Sequence, residues 1–248
     1  MRGLFAGVVV LGMGLGIAAA QAQPAGCRFP DDLALTGIDL PVSRRSVQAH
    51  RALTILAVGG ASTAGTAAQG EEYSYPSRLA VHLRAALPGV AITVVNRAQP
   101  AGTARARAAR LDSDLAELKP SLVIWAPGST EAGASDSIDS FAASLEDGVD
   151  KVQAAGSDLL LIDLQYAPSL ARVINLSLYN AAISDAASSY DVPLLHRSAL
   201  MQRWNDDGVF DLDHTPRAQM LSTIRRLFDC LATGIAEGVT AAVSGPAP

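Results

Sequence analysis

The sequence is poor in charge, in aromatic residues and in cysteine. Charged residues make up 17% and aromatic residues 5% of the 248 positions, and there are two cysteines. So few cysteines exclude a disulfide-dense small scaffold, and a hydrophobic share of 49% excludes wholesale disorder. The formal net charge is -5 and no basic stretch occurs. This argues against a nucleic-acid partner, because binding the phosphate backbone needs a concentrated basic face.

Long apolar runs are absent except at the N-terminus. The run from Leu4 to Ala20 follows the positive Arg2 and ends at the small residues of Ala20-Gln21-Ala22. This pattern predicts a cleaved signal peptide over residues 1–22, so we expect an exported protein, periplasmic or secreted. The alternative is a membrane anchor, but the run barely reaches the necessary length. No other segment is predicted to span a bilayer, so no stable membrane insertion is expected after cleavage.

The two cysteines lie at opposite ends of the predicted mature chain. Cys27 follows the predicted signal peptide and Cys230 lies near the C-terminus. An exported chain meets an oxidising compartment, so the pair predicts a Cys27–Cys230 disulfide. One alternative is lipidation of Cys27, because Pro24-Ala25-Gly26-Cys27 contains part of a lipobox. The other alternative is that both cysteines remain free thiols.

Short aliphatic runs alternate with segments of helical periodicity. The predicted strands are Thr54 to Val58, Ala91 to Val95, Ser121 to Trp125, Leu159 to Asp163 and Val192 to Leu195. The predicted helices are Tyr75 to Leu87, Thr103 to Leu118, Ser137 to Ala155, Leu176 to Ser189 and Pro216 to Glu237. This alternation predicts a three-layer α/β/α sandwich with a central five-stranded parallel sheet, similar to flavodoxin. We expect one such domain over 52–239, an irregular lead-in over 23–51 and a disordered tail over 240–248.

A glycine-rich turn follows the first predicted strand. It reads Gly59-Gly60-Ala61-Ser62-Thr63-Ala64-Gly65. A serine in such a turn exposes its hydroxyl, and its own N–H at a helix start can bind a developing oxyanion. Ser62 is therefore a candidate nucleophile. The alternative is that Ser62 only caps the helix that follows.

A candidate base precedes the last predicted helix. In Asp211-Leu212-Asp213-His214, an aspartate three residues before a histidine can accept the imidazole Nδ1–H, leaving Nε2 to act as a base. Ser62, Asp211 and His214 are thus predicted to form a triad. The alternative is a solvent-exposed His214 beside a helix cap, and His196, just after the fifth strand, is the one substitute base considered.

With these residues in place, the chain resembles the SGNH/GDSL hydrolase superfamily from about Thr54 to Val239. In the first block of that family the serine follows Gly-Asp, whereas here it follows Gly60-Ala61. The order of the blocks is that of the family, with the serine after the first strand and the Asp/His pair before the last helix. The resemblance implies the three-layer fold and an esterase-type serine hydrolase.

The resemblance also implies the donors that hold the oxyanion. A second-block glycine follows the second strand, with Gly102 as the candidate and Ala101 as the alternative. The third block carries Gly-x-Asn-Asp in the family, and here it reads Gly128-Ser129-Thr130-Glu131. Thr130 stands in place of the asparagine, so its hydroxyl, or that of Ser129, is expected to substitute, or the protein is catalytically weak.

Further segments resemble an exported bacterial branch of the superfamily. They are Leu122 to Trp125, Asp163 to Pro168, Ala199 to Trp204 and the late cysteine in the final helix. Gln165 and Tyr166 follow the fourth strand and are expected to contact substrate, or, for Tyr166, to pack at the cleft rim. Arg105, Arg107 and Arg110 are expected to decorate a helix surface.

The sequence therefore predicts an exported, monomeric serine esterase that acts on a small acyl ester of a sugar, lipid or glycan. No histidine or cysteine cluster has metal-ligand spacing, so no metal and no cofactor are expected. The alternatives are a catalytically degenerate relative that binds a glycan or another envelope component, and an acyltransferase with the same site.

Overall fold

The computed structural model describes residues 27–166, 168–172 and 175–245, and the predicted signal peptide lies outside them. The strands are β1 (Ala52–Gly59), β2 (Ala91–Asn96), β3 (Leu122–Ala126), β4 (Asp158–Ile162) and β5 (Leu194–Leu195). The helices are α1 (Pro41–His50), α2 (Ala61–Ala64), α3 (Tyr75–Ala86), α4 (Ala104–Leu118), α5 (Ser129–Ala134), α6 (Ile138–Ala154), α7 (Pro168–Ala171), α8 (Leu176–Ser189), α9 (Arg197–Asp206) and α10 (Arg217–Ser244). Two 3-10 turns, Thr66–Ala68 and Glu71–Tyr73, connect α2 to α3.

The strands form one parallel sheet in the order β2-β1-β3-β4-β5. Alternate residues of each central strand face opposite sides, as the two-residue repeat of a strand requires. In β3, Leu122 and Ile124 enter one core cluster, whereas Val123 and Trp125 enter the other. The predicted five-stranded α/β/α sandwich is thereby confirmed.

The helices cover both faces of the sheet. Helices α1, α3, α9 and α10 pack on one face, and α4, α6 and α8 pack on the other. Such coverage explains why β3 and β4 are buried along their whole length and read as continuous apolar runs. The carboxyl ends of all five strands therefore share one edge, which is the edge where ligands bind in open α/β sheets.

The lead-in, predicted as irregular, contains helix α1. Pro41 stands at its first position, and the N–H groups of Val42 and Ser43 donate to the carboxylate of Asp158 at 3.1 and 2.7 Å. Asp158 begins β4, more than 100 residues away along the chain. The helix start is thus stabilised by a carboxylate that no local pattern of the lead-in reveals.

The last helix continues beyond its predicted end. We predicted a disordered tail from residue 240, but α10 runs to Ser244 with Ala242 and Val243 buried. The carbonyl oxygen of Ala242 accepts a hydrogen bond from Nε of the buried Arg44 in α1 at 2.9 Å. Packing against the unpredicted α1 therefore orders the end of α10.

Helix α10 is also long and apolar enough to cross a membrane by length and composition, contrary to our expectation for the segments after residue 22. Its most apolar window has a mean hydropathy of 1.3, but 67% of that window is buried inside the protein. Cys230 and Leu231 lie in the core shared with the sheet. The apolar surface of α10 is accounted for by packing in the core.

The Cys27–Cys230 disulfide is present, as predicted. Both cysteines are buried, and the Cα atoms lie 4.9 Å apart. The neighbouring Phe29 packs on Gly234 of α10, where a β-carbon would collide with its ring. The disulfide therefore links the lead-in to α10, and it indicates an oxidising compartment.

Removing the disulfide is expected to lower the stability substantially. Replacing both Cys27 and Cys230 by alanine should reduce the free energy of unfolding by about 2–4 kcal/mol, since the closed loop is long. Urea unfolding followed by circular dichroism measures this change. As a control, dithiothreitol should destabilise the wild-type protein by a similar amount and leave the double variant unchanged. Equal unfolding midpoints for the oxidised wild-type protein and the variant would contradict the prediction.

Candidate active site

The turn after β1 presents Ser62 at the carboxyl edge of the sheet. A β-carbon at Gly59 would collide with the side chain of Thr63, so glycine is required where the strand ends. Ser62 lies in the four-residue helix α2, which ends at Gly65 in the left-handed region with φ 75°. Its side chain is half-buried. The N–H of Ser62 belongs to the first turn of the helix, where backbone donors have no acceptor within the helix.

Side chains and backbone from the neighbouring strands hold this turn. Nδ2 of Asn96, the last residue of β2, donates to the carbonyl oxygen of Thr63 at 2.9 Å. The N–H of Gln99 donates to the carbonyl oxygen of Gly59 at 2.9 Å. On the other side, a β-carbon at Gly60 would lie 2.7 Å from Oγ of Ser129. The three sequence blocks singled out after β1, β2 and β3 therefore meet at one place.

The second and third blocks contact each other directly. Oγ1 of Thr130 donates to the carbonyl oxygen of Gly102 at 3.0 Å. The N–H of Gly102 donates to the carbonyl oxygen of Gln99 at 3.0 Å. The structure brings these two predicted oxyanion donors together, and both of their donor groups are engaged with protein carbonyls. Ala101 and Ser129, the alternatives, are exposed.

A buried arginine that the sequence analysis missed contacts Ser62. Arg197 is the first residue of α9, two residues after β5, and it is 2% exposed. Its Nη1 donates to Oγ of Ser62 at 3.1 Å. Its position directly after a strand is the signal that could have identified it, because the ends of parallel strands converge on the site.

A second buried arginine lies close to the serine turn. We predicted Arg107 on a helix surface, and this is wrong, because Arg107 is 2% exposed, whereas Arg105 and Arg110 are exposed as expected. Nη2 of Arg107 donates to the carbonyl oxygen of Gln99 at 2.9 Å. Burial lowers the pKa of Arg107, and the carboxylate of Glu131 opposes that shift. Arg107 therefore stabilises the loop after β2 through its hydrogen bond to Gln99.

The predicted Asp/His pair forms a local unit before α10. Nδ1 of His214 lies 3.6 Å from Oδ1 of Asp211, and the same oxygen accepts the backbone N–H of His214 at 2.7 Å. The His214 side chain is 82% exposed. Within the described ranges no hydrogen bond joins His214 to Ser62. At 3.6 Å the imidazole lies near Asp211 without a hydrogen bond to it, and Nε2 lies 3.8 Å from Oδ2 of Asp213. The triad of Ser62, Asp211 and His214 remains a prediction.

A second histidine and carboxylate lie at the ends of β4 and β5. Oδ1 of the buried Asp163 accepts the N–H of Ser198 at 2.8 Å and so caps α9. Its Oδ2 lies 3.7 Å from Nδ1 of His196, which is about half exposed. The interaction with Asp163 raises the pKa of His196, and burial opposes the shift. His196 adjoins Arg197 in sequence, so it remains the alternative base.

Gln165 and Tyr166 follow β4 at the same edge, and both are half-buried. The ring of Tyr166 packs against the core on the α3 and α10 face. This placement agrees with the rim position considered for Tyr166. Contact of either side chain with a substrate remains a prediction.

Comparisons with known proteins agree with this architecture. No curated protein sequence matches the chain. Among solved structures, TesA is similar with a TM-score of 0.58 and 22% identity, over 73% of this chain and 97% of that one. A catalytic mutant of Axe2, an acetylxylan esterase from Geobacillus stearothermophilus, has a TM-score of 0.60 and 17% identity, over 75% of this chain and 94% of that one. LAE5, an α/β hydrolase enzyme from the metagenome of Lake Arreo, has a TM-score of 0.58 and 17% identity, over 77% and 96%.

The parallel sheet, with its serine turn after the first strand, defines the fold of the SGNH/GDSL hydrolases, so the resemblance found in the sequence is confirmed. Residues 26–245 match the Non-GDSL lipase-like family, and the chain belongs to that family.

Proposed function

We propose that this protein is an exported serine esterase that hydrolyses small acyl esters. The observation that carries the proposal is the placement of Ser62 in the glycine turn at the carboxyl end of β1, in a chain of an esterase- and lipase-like family. Axe2 is an acetylxylan esterase, so this fold is able to present acetyl esters of a sugar to a serine. An acetylated sugar or glycan is therefore the first substrate class to test, with lipid esters second.

In the proposed reaction, Oγ of Ser62 attacks the ester carbonyl carbon while its proton passes to Nε2 of His214. The carbonyl electron pair moves onto the oxygen. When the carbonyl re-forms, the alcohol leaves with the proton from His214, and an acyl-enzyme remains. Water then attacks the acyl-enzyme and gives its proton to His214. When the carbonyl forms again, Ser62 leaves with that proton and the acid is released. Asp211 keeps the His214 imidazole in the tautomer that leaves Nε2 free.

The proposed site requires two adjustments when substrate binds. The exposed His214 must move so that Nε2 leaves Oδ2 of Asp213 and reaches Oγ of Ser62. The N–H of Ser62 needs no change to bind the oxyanion. Gly102 and Thr130 must first release the carbonyls of Gln99 and Gly102, respectively.

A fluorophosphonate probe and an ester assay test the proposal. We expect hydrolysis of p-nitrophenyl acetate, and one equivalent of probe on the peptide that contains Ser62, identified by mass spectrometry. Release of acetate from acetylated xylooligosaccharides compared with release of fatty acid from lipid esters then ranks the substrate classes. Failure to label Ser62, together with no hydrolysis, would overturn the proposal.

The engaged donors favour one competing function. Because the Gly102 N–H and the Thr130 hydroxyl both donate to protein carbonyls, a catalytically degenerate protein that binds a glycan or another envelope component is the second candidate. It predicts binding of acetylated oligosaccharides in calorimetry without release of acetate.

An acyltransferase that uses the same site would instead move the acyl group from the ester to a sugar acceptor. Product analysis by mass spectrometry distinguishes this transfer from hydrolysis.

A further inference from the structure

The guanidinium of Arg197 is a buried charged group whose described hydrogen bond goes to the proposed nucleophile. It is 2% exposed, and Nη1 lies 3.1 Å from Oγ of Ser62. Its Nε is buried and has no hydrogen-bond partner among the residues that the structure describes. Burying a donor without an acceptor usually costs about 1–3 kcal/mol. Arg107 also has unpaired buried donors, at Nε and Nη1, so the feature that distinguishes Arg197 is its hydrogen bond to the proposed nucleophile.

The charge of Arg197 also lacks a direct counterion. Over the described ranges of the chain, no carboxylate lies within ion-pair distance of its guanidinium. Burial lowers the pKa of Arg197, and interactions with Tyr75 and Asp163 oppose that shift. Tyr75 is fully buried with a raised pKa, so its phenol stays neutral at neutral pH. Asp163 directs its carboxylate oxygens to Ser198 and His196.

A negative charge that forms beside Ser62 would therefore be stabilised strongly. Arg197 approaches Oγ from the β5 side, and its buried charge acts through a medium of low dielectric constant. A donor fixed in advance where charge develops lowers the barrier without reorganisation at the moment of reaction. In the SGNH/GDSL hydrolases the third block supplies an asparagine amide. Here it offers the hydroxyl of Thr130, which donates to the carbonyl oxygen of Gly102.

We propose that Arg197 is a catalytic residue of this enzyme, whose guanidinium stabilises the negative charge that forms on Ser62 Oγ and on the ester oxygen during attack. The inference rests on the serine-esterase function proposed above. As the bond from Oγ to the carbonyl carbon forms, the Ser62 proton goes to His214 and the carbonyl pair goes to oxygen. Arg197 keeps all its protons and donates hydrogen bonds only. It thereby adds electrostatic stabilisation beside Ser62 in a site whose third block lacks the asparagine amide.

Three variants test the role of Arg197. Arg197→Gln should lower kcat for p-nitrophenyl acetate by about 10²–10³-fold with KM changed by less than about threefold, since the lost interaction forms mainly in the transition state. Arg197→Lys keeps the charge and should recover about tenfold of that loss. The matched control is Arg44→Gln, because Arg44 is a buried arginine of α1, whose start contacts the amino ends of β3 and β4. That control should keep the wild-type kcat.

Chemical rescue separates catalysis from folding. In Arg197→Ala, added guanidinium chloride at non-denaturing concentration should raise kcat at least about tenfold, whereas sodium chloride at equal ionic strength should not. Circular dichroism verifies that each variant is folded. If Ser62→Ala loses activity while Arg197→Gln stays within about threefold of wild type, the Arg197 proposal is wrong and the esterase stands. Rescue that sodium chloride matches also overturns it. If the wild-type protein shows neither hydrolysis nor labelling, the esterase proposal itself fails.

Discussion

Replacing Ser62 by alanine is expected to lower kcat/KM for p-nitrophenyl acetate by at least about 10⁴-fold and to abolish fluorophosphonate labelling. Loss of the nucleophile removes the covalent route, and the activity that remains comes from binding and the oxyanion donors. The fold should be retained, because the side chain is half-buried and its described contact is the hydrogen bond from Arg197. Steady-state kinetics with purified protein, together with thermal unfolding, measures both effects.

Ser113→Ala is the matched control for this substitution. Ser113 is an exposed serine of α4 whose hydroxyl donates to the carbonyl oxygen of Arg110 at 2.8 Å. Its removal should change neither labelling nor kcat/KM. Activity of Ser62→Ala within about tenfold of the Ser113→Ala control would show that another group attacks the ester. Capping of α2 would not explain Ser62 in that case, because Ser62 is the second residue of α2 and the helix has no side-chain cap.

The second large effect is expected from the base. His214→Ala should reduce kcat by at least about 10³-fold, because general acid and base catalysis of both half-reactions would be lost. His196→Ala should keep kcat within about threefold of wild type, since Asp163 still caps α9 through Ser198 in that variant. The two histidines form a matched pair, because each is exposed and each lies within 3.7 Å of an aspartate oxygen.

Comparison of the losses of kcat in His214→Ala and His196→Ala decides which histidine is the base. A larger loss for His196→Ala than for His214→Ala would place the base at the end of β5, beside Arg197. Asp163→Asn and Asp211→Asn provide the second comparison, because the aspartate that orients the active imidazole should also be the more sensitive one. Equal and small losses for both histidines would show that neither imidazole is the base of the reaction.

Much of the fold was predictable because it depends on local patterns. Strands β1, β3 and β4 are buried on both faces, so their sequences are continuous aliphatic runs of strand length. Helices α4, α6 and α8 show an apolar repeat that matches one packed face. The turn at Ser62 was identifiable because glycine is required at Gly59 by the close approach of Thr63. The disulfide followed from the presence of two cysteines in a chain with an export signal pattern.

Other features depend on residues that are distant in sequence. Helix α1 starts where Asp158 caps it, and α9 starts where Asp163 caps it, so neither start carries its own capping side chain. The short β5 was nevertheless placed correctly, because Leu194 and Leu195 are apolar and follow a turn. The remote carboxylate leaves no signature in the segment that it caps, although Pro41 at the first position of α1 is a local sign of a helix start.

The amino-acid sequence alone determined the five strands, the five helices α3, α4, α6, α8 and α10, the serine turn and the pairing of the cysteines, because each depends on residue type, short-range periodicity or residue count. Only the tertiary structure decided that Arg107 and Arg197 are buried and that Arg197 reaches Ser62. An arginine has the same intrinsic chemistry on a surface and in a core. Its neighbours, brought together from the ends of separate strands, decide whether its charge is solvated or directed at a reacting atom.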